Sequence, residues 1–227
     1  MNPYTSSEKR KIKSDWKDAL KFYSNYKSNI LIKRNDPMVT GVYLHMGRIP
    51  ECYTPVFFIH NLMYSFESIP LSGYGSMRNA NQTEDAVTRK RHTEQFLMIT
   101  SEFQKQYPIA FLDCVDFNMI DSYYNSYIEK PPTGNSYPLK EMTDHILLMF
   151  WYGVQESEIN KKIKQYEHIQ ESWRESVHPE SRKIWRENVL RLFDHQKLLR
   201  TIESEIAKFK IEKINTFPMK RLCEAGK

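Results

Sequence analysis

Two histidines in neighbouring apolar segments come closest to a catalytic pair in this chain. His45 lies in Val42–Met46, and His60 lies in Val56–Met63. Because histidine titrates near neutral pH, a pair on adjacent strands could act as a general acid and a general base. Phosphodiesterases with such a pair carry a hydroxyl residue two positions after each histidine, and neither histidine has one here. His45 and His60 are therefore catalytic candidates that lack a complete motif.

The same histidines could bind a metal ion together with Cys52, which lies between them. Imidazole and thiolate are ligands that suit zinc. The set His45, Cys52 and His60 lacks a fourth ligand and has no standard zinc-site spacing. We therefore predict no cofactor, and the simpler interpretation of each histidine is a hydrogen-bonded core residue.

Carboxylates around residues 102–121 could resemble the acidic cluster of a metal-dependent nuclease. Asp113, Asp116 and Asp121 follow Glu102, and Mg²⁺ sites use one or two carboxylates together with substrate phosphates. Alternation along a strand would place Asp113 and Asp116 on opposite faces, which weakens this interpretation.

A basic cluster, Arg89, Lys90 and Arg91, lies in the first half of a predicted helix. Such a face could bind phosphate groups, and it predicts a nucleic-acid-binding protein or nuclease as one function. An ordinary solvated helix face explains the same residues.

Tyrosines crowd the next part of the chain, where Tyr123, Tyr124 and Tyr127 stand in a polar setting. Aromatic side chains with polar tips are common at protein interfaces, so this segment could bind another protein. It could equally cover the sheet.

Charge is distributed unevenly along the 227 residues, whose net charge is +5. Residues 1–34 hold nine Lys and Arg against three Asp and Glu, residues 35–160 hold eight against fifteen, and residues 161–227 hold sixteen against ten. The basic ends could attract the acidic middle or an acidic partner, although lysine-rich solvated helices explain the pattern more simply.

The cysteines and apolar runs bear on the compartment. Cys52, Cys114 and Cys223 are widely spaced and odd in number, which predicts reduced thiols. The first residues contain no apolar stretch, and the longest apolar run, Ile146–Tyr152, is far too short to span a membrane. We expect a cytoplasmic protein with no membrane partner.

Hydrophobic periodicity predicts helices at residues 7–27 and Thr83–Tyr107 and helical structure from Leu139 onward. Strands are predicted at Asn29–Lys33, at the two histidine segments and at Ile109–Ile120. The fold class is therefore α+β, with a small mixed or antiparallel sheet, an N-terminal helix, a central helix and a helical C-terminal half. We predict one domain over residues 1–227, with a possible subdivision into 1–134 and 135–227.

The expected function is a non-enzymatic, cytoplasmic protein-interaction protein, such as a bacterial or phage accessory, inhibitor or immunity-type factor. The partner would be another protein, bound by the Tyr-rich segment or the helical half. The alternative is a nucleic-acid-binding protein or nuclease that uses basic helix faces. The sequence leaves the oligomeric state open.

Overall fold

A computed structural model describes residues 3–47, 50–67, 69, 75–129, 137–172 and 179–220, with the main chain alone for 179–183 and 220. Within these residues, seven α-helices and a seven-stranded sheet confirm the predicted α+β class and the helical C-terminal half. Across the same residues, no helix combines the length and the apolar character needed to cross a lipid bilayer.

The chain divides into two compact units. The sheet unit contains Met1–His60, Ile69–Asp116 and Lys210–Lys220, and the helical unit contains Asn61–Ser68 and Phe117–Phe209. Residues 130–136, where the sequence suggested a possible subdivision, lie outside the described residues. The number of domains stays a prediction.

The sheet unit begins with helix α1 (Ser6–Ala19). The Thr5 hydroxyl accepts a hydrogen bond from the backbone N–H of Glu8 (3.3 Å), and the Glu8 carboxylate accepts one from the Thr5 N–H (2.8 Å). This capping box fixes the start of the helix. The helix ends well before residue 27, because Ser24–Lys27 forms a strand that pairs with Ile30–Asn35. The prediction of a helix to residue 27 was wrong in this part.

The strands, in chain order, are β1 (Ser24–Lys27), β2 (Ile30–Asn35), β3 (Met38–Met46), β4 (Cys52–Asn61), β5 (Gly75–Ser76), β6 (Val87–Thr88), β7 (Val115–Asp116), β8 (Thr216–Phe217) and β9 (Met219–Lys220). The main sheet has the order β1-β2-β3-β4-β5, with β6 beside β4 and β8 parallel to β2, and β7 pairs separately with β9. Strands β2, β3 and β4 confirm the first predicted strand and both histidine-bearing strands.

The centre of the sheet is closely packed. Gly41 on β3 faces the Phe58 ring on β4, and a Cβ atom on Gly41 would lie 2.0 Å from Phe58 Cζ. Phe58 and its neighbours Phe57 and Ile59 are almost fully buried. Strand β4 is therefore the core of the sheet unit.

Helix α2 (Arg89–Gln106) lies within the predicted central helix, Thr83–Tyr107, but begins six residues later than predicted. Thr88 is its N-cap and accepts a hydrogen bond from the Arg91 N–H at 3.1 Å. The Thr83 hydroxyl instead accepts a hydrogen bond from the Asn79 side chain at 2.7 Å, within a loop.

The predicted strand Ile109–Ile120 is wrong over most of its length. A 3₁₀ helix (Pro108–Phe111) precedes the two-residue strand β7, and Phe117–Ile128 is a helix. The buried residues of that helix recur at spacings of three and four, namely Phe117, Ile120, Tyr124 and Ile128. The apolar residues therefore follow the period of a helix here, and the strand-like alternation on which the prediction rested extends over only a few residues.

The helices of the helical unit are α3 (Phe117–Ile128), α4 (Leu139–Trp151), α5 (Glu156–Glu171), α6 (Pro179–Leu190) and α7 (His195–Phe209). Helix α4 is at the centre of this unit, since its residues from Glu141 to Met149 are buried apart from Thr143. Three of those buried residues are polar: Glu141, Asp144 and His145. Their surroundings decide where a site could lie.

Candidate functional site

The histidines singled out from the sequence lie on the central strands. His60 on β4 is fully buried, whereas His45 on β3 is half-buried and stacks on Tyr43 with ring centroids 5.5 Å apart. Among the described residues, no three His, Cys, Asp or Glu side chains are grouped so that they could hold a metal ion. The structure therefore does not assemble a metal site from His45, Cys52 and His60.

Carboxylates pair with both arginines of the basic cluster. Arg89 lies 2.8 Å from the Glu8 carboxylate and 3.3 Å from that of Glu51. Arg91 lies 2.6 Å from Asp85 and 2.9 Å from Glu102. Lys90, between the two arginines, is exposed. A phosphate group at this face would compete with four carboxylates.

The Tyr-rich segment is divided between the core and the surface. Tyr124 is buried and stacks on His145 with ring centroids 5.2 Å apart. Tyr123 and Tyr127 are half-buried and stack on each other at 6.5 Å. Two of the predicted binding residues thus remain accessible, and the third belongs to the core of the helical unit.

An Asp–His–Tyr network with a buried tyrosine and histidine and a partly exposed aspartate lies in the sheet unit. The Tyr53 hydroxyl is 2.7 Å from His92 Nδ1, and His92 Nε2 is 3.0 Å from the Asp15 carboxylate. The Trp16 indole N–H donates to the Tyr53 oxygen at 3.0 Å, and Lys11 donates to Asp15. With the proton on Nε2, every donor of this network has an acceptor.

An equivalent network lies in the helical unit. His145 Nε2 is 2.7 Å from Asp121, and His145 Nδ1 bonds to the Tyr166 hydroxyl. Burial lowers the pKa of His145, while the hydrogen bond from His145 lowers the pKa of Asp121. Burial also raises the pKa of Tyr166, so its hydroxyl is not activated as a nucleophile. Both networks are best explained as ties between secondary-structure elements.

A cavity of about 330 Å³ in the described part of the helical unit could receive a ligand. It lies between α4, α6 and the segment that follows β4. Its walls include aromatic and aliphatic side chains: Tyr64, Phe66, Ile184, Trp185, Val189 and Leu192. Tyr64 is 40 % exposed and Ile184 is 48 % exposed, so the rim of the cavity is apolar and accessible.

Hydrogen bonds hold the walls of this cavity in place. Buried Glu205 on α7 accepts from the Ser65 hydroxyl (3.0 Å) and from the Phe66 N–H (3.1 Å). The Trp185 indole N–H donates to the Thr143 hydroxyl at 2.9 Å, which fixes the plane of the indole. These hydrogen bonds connect the walls of the cavity to α7 and α4, and contacts of this kind favour preorganisation of a site.

The polar part of the cavity is Asp144, which is only 2 % exposed. One carboxylate oxygen, Oδ2, accepts a hydrogen bond from Lys140 Nζ. The other, Oδ1, is buried and has no hydrogen-bond partner among the described residues. Burial raises the pKa of Asp144 to about 6, although Lys140 acts in the opposite direction. A buried acceptor without a partner is costly, so a hydrogen-bond donor that reached it would remove that cost.

No motif in the sequence indicated Asp144, Lys140, Phe66 or Trp185 as site residues. A weak signal was present, since Asp144 and His145 interrupt an otherwise apolar helix face.

In comparisons with known proteins, no family model, no curated protein and no solved structure matches this chain.

Proposed function

We propose that the protein is a non-enzymatic protein-interaction protein whose helical unit binds another protein through the cavity beside Asp144. The observation that carries this proposal is a cavity with an apolar, accessible rim whose lining includes Asp144, a buried carboxylate with one oxygen that has no partner among the described residues. Interfaces commonly combine an apolar pocket with a few polar groups that set specificity.

The histidine networks support the non-enzymatic part of the proposal. In each of them the imidazole lies between a carboxylate and a buried tyrosine. Because Tyr53 and Tyr166 are almost fully buried, a substrate could not reach the hydroxyl on which either imidazole would act. The proposal also places the protein in the cytoplasm, a reducing compartment in which the free thiols of Cys52 and Cys114 persist.

Site-specific cross-linking in the native cells tests the proposal. A photoreactive residue is placed at Ile184, on the rim of the cavity, and in a control at Leu199, which is 42 % exposed on α7 and does not line the cavity. We expect a protein to be cross-linked from position 184 and not from position 199. That protein is then purified, and its affinity is measured for the wild type and for the variants Ile184→Glu and Leu199→Glu.

Loss of affinity in Ile184→Glu alone is the expected result. Equal affinity of the two variants and the wild type would contradict the proposal. The alternative, a nucleic-acid-binding protein that uses Arg89, Lys90 and Arg91, stays a prediction. The four carboxylates paired with Arg89 and Arg91 make it the weaker candidate.

A further inference from the structure

We infer that the cavity beside Asp144 receives the guanidinium group of an arginine side chain from the partner protein. This inference rests on the proposed function and specifies the group that the helical unit recognises. It follows from the open carboxylate oxygen, the aromatic walls, the volume of the cavity and the position of Lys140.

The open oxygen requires a hydrogen-bond donor. Asp144 Oδ1 is buried among residues that line the cavity, and a carboxylate offers about four acceptor positions over its two oxygens. Lys140 Nζ bonds to Oδ2. Oδ1 is therefore the oxygen left for a second donor, which would reach it once the lining side chains move, since Oδ1 itself has almost no accessible surface.

The aromatic walls favour a donor that carries positive charge. Phe66, Tyr64 and Trp185 line the cavity, and a cation over an aromatic face is stabilised by the electrons of the ring. The chain itself provides an example, because Lys140 Nζ lies 4.6 Å from the centre of the Phe66 ring. The cavity therefore already holds one cation in contact with an aromatic ring and a carboxylate.

Size and shape favour arginine. A volume of about 330 Å³ lies at the lower end of the range of small-ligand sites, which suits one long side chain better than a folded element. Guanidinium is planar, stacks on aromatic faces and carries several N–H donors, whereas ammonium is compact and more strongly hydrated. Because Lys140 already lies close by, a delocalised charge is the more easily accepted of the two.

A titration with capped arginine (acetyl-arginine methylamide) tests this inference. Capped citrulline is the matched probe, since it has nearly the same shape without the charge. Binding is followed by NMR through the indole N–H signal of Trp185, which the variant Trp185→Phe identifies among the four tryptophans. We expect capped arginine to shift this signal and capped citrulline to bind about tenfold more weakly or worse.

Variants of two carboxylates complete the test. Asp144→Asn should weaken the binding of capped arginine about tenfold or more. Asp121→Asn, the same chemical change at a paired carboxylate of the helical unit, should leave that binding unchanged. Equal binding of the two probes, or wild-type binding by Asp144→Asn, would overturn the inference.

The cross-linked partner separates this result from the proposed function. If partner binding depends on Ile184 but capped arginine does not bind, the arginine inference fails alone. If partner binding does not depend on Ile184, the proposed function fails as well.

Discussion

Asp15 in the sheet unit and Asp144 in the helical unit both accept a hydrogen bond from a lysine, yet Asp15 is partly exposed, Asp144 is buried and their other partners differ. Asp15 accepts hydrogen bonds from His92 and Lys11, and His92 in turn bonds to Tyr53. Asp144 has one oxygen bonded to Lys140 and another with no partner among the described residues. A satisfied network stabilises a fold, whereas a buried acceptor without a partner weakens it. The proposed site is therefore at the incomplete hydrogen-bond set of Asp144, and the Asp–His–Tyr networks are assigned a structural role.

The largest expected effect comes from breaking the satisfied network. His92→Ala leaves the Tyr53 hydroxyl without its acceptor, removes a donor to Asp15 and opens a cavity beside Phe96. We expect the free energy of unfolding to fall by about 3 kcal/mol in urea denaturation. The half-buried His45 is the control, and His45→Ala should lower it by less than about 1 kcal/mol. Equal effects of the two changes would contradict the structural role of His92.

The next prediction compares Asp144→Asn with Asp121→Asn, which should change the free energy of unfolding in opposite directions. The pKa of Asp144 is raised from 3.8 to about 6, so the native state binds the extra proton between about pH 4 and pH 6. Stability due to this group therefore falls as the pH rises through that window. Asp144→Asn removes the penalty, and we expect it to raise the free energy of unfolding at pH 7.5 by about 2 kcal/mol.

Asp121→Asn should act in the opposite direction. The pKa of Asp121 is lowered by its hydrogen bond from His145, so its stabilisation is present above the unfolded pKa and is lost as the pH falls through the folded one. We expect a loss of about 1–2 kcal/mol at pH 7.5, measured by the same urea denaturation. Destabilisation by both variants would show that Asp144 is as well satisfied as Asp121.

A smaller effect is expected where the wall of the cavity is tied to α4. Thr143→Val removes the acceptor of the Trp185 indole N–H while keeping the shape of the side chain. The free energy of unfolding should fall by about 1 kcal/mol, and capped arginine should bind a few-fold more weakly because the indole is less well oriented. Thr201→Val is the control, since Thr201 lies on α7 and its hydroxyl donates to the Lys197 carbonyl within that helix. The contact between Trp185 and Thr143 would have no role in binding if the two variants bound the probe equally.

The smallest effect concerns the basic cluster of the sheet unit. Replacing Arg89, Lys90 and Arg91 by alanine removes two arginines that carboxylates already neutralise and one exposed lysine. We expect the salt concentration that elutes the protein from heparin to change little. A protein that bound DNA with a steep salt dependence, lost in the triple variant, would support the nucleic-acid alternative instead.

Much of the fold could be predicted from the sequence because its elements carry regular patterns. The apolar runs around His45 and His60 indicated the central strands, and three-and-four spacing indicated the helices of the C-terminal half. The errors came where two patterns overlap. Tyr23 and Tyr26 continue the helical spacing of α1, but Ser24–Lys27 pairs with β2 instead.

The candidate site was much harder to predict, since its surroundings come from distant parts of the chain. Phe66 follows β4, Asp144 lies on α4 and Trp185 lies on α6. No short motif links these residues, and an aspartate in an apolar helix does not reveal from sequence which oxygen will find a donor. The basic cluster was a candidate that the sequence suggested and the structure weakens. Arg89 pairs with Glu8 and Arg91 pairs with Glu102, and the sequence gives no sign of either contact.

The most direct test measures stability and ligand binding on the same samples of wild type and Asp144→Asn at pH 7.5. Urea denaturation gives the free energy of unfolding, and the NMR signal of the Trp185 indole gives the affinity for capped arginine. We predict that Asp144→Asn is more stable than the wild type and has lost most of its affinity for capped arginine. A variant that is less stable, or that binds capped arginine as the wild type does, would contradict the account of Asp144 as an open binding site.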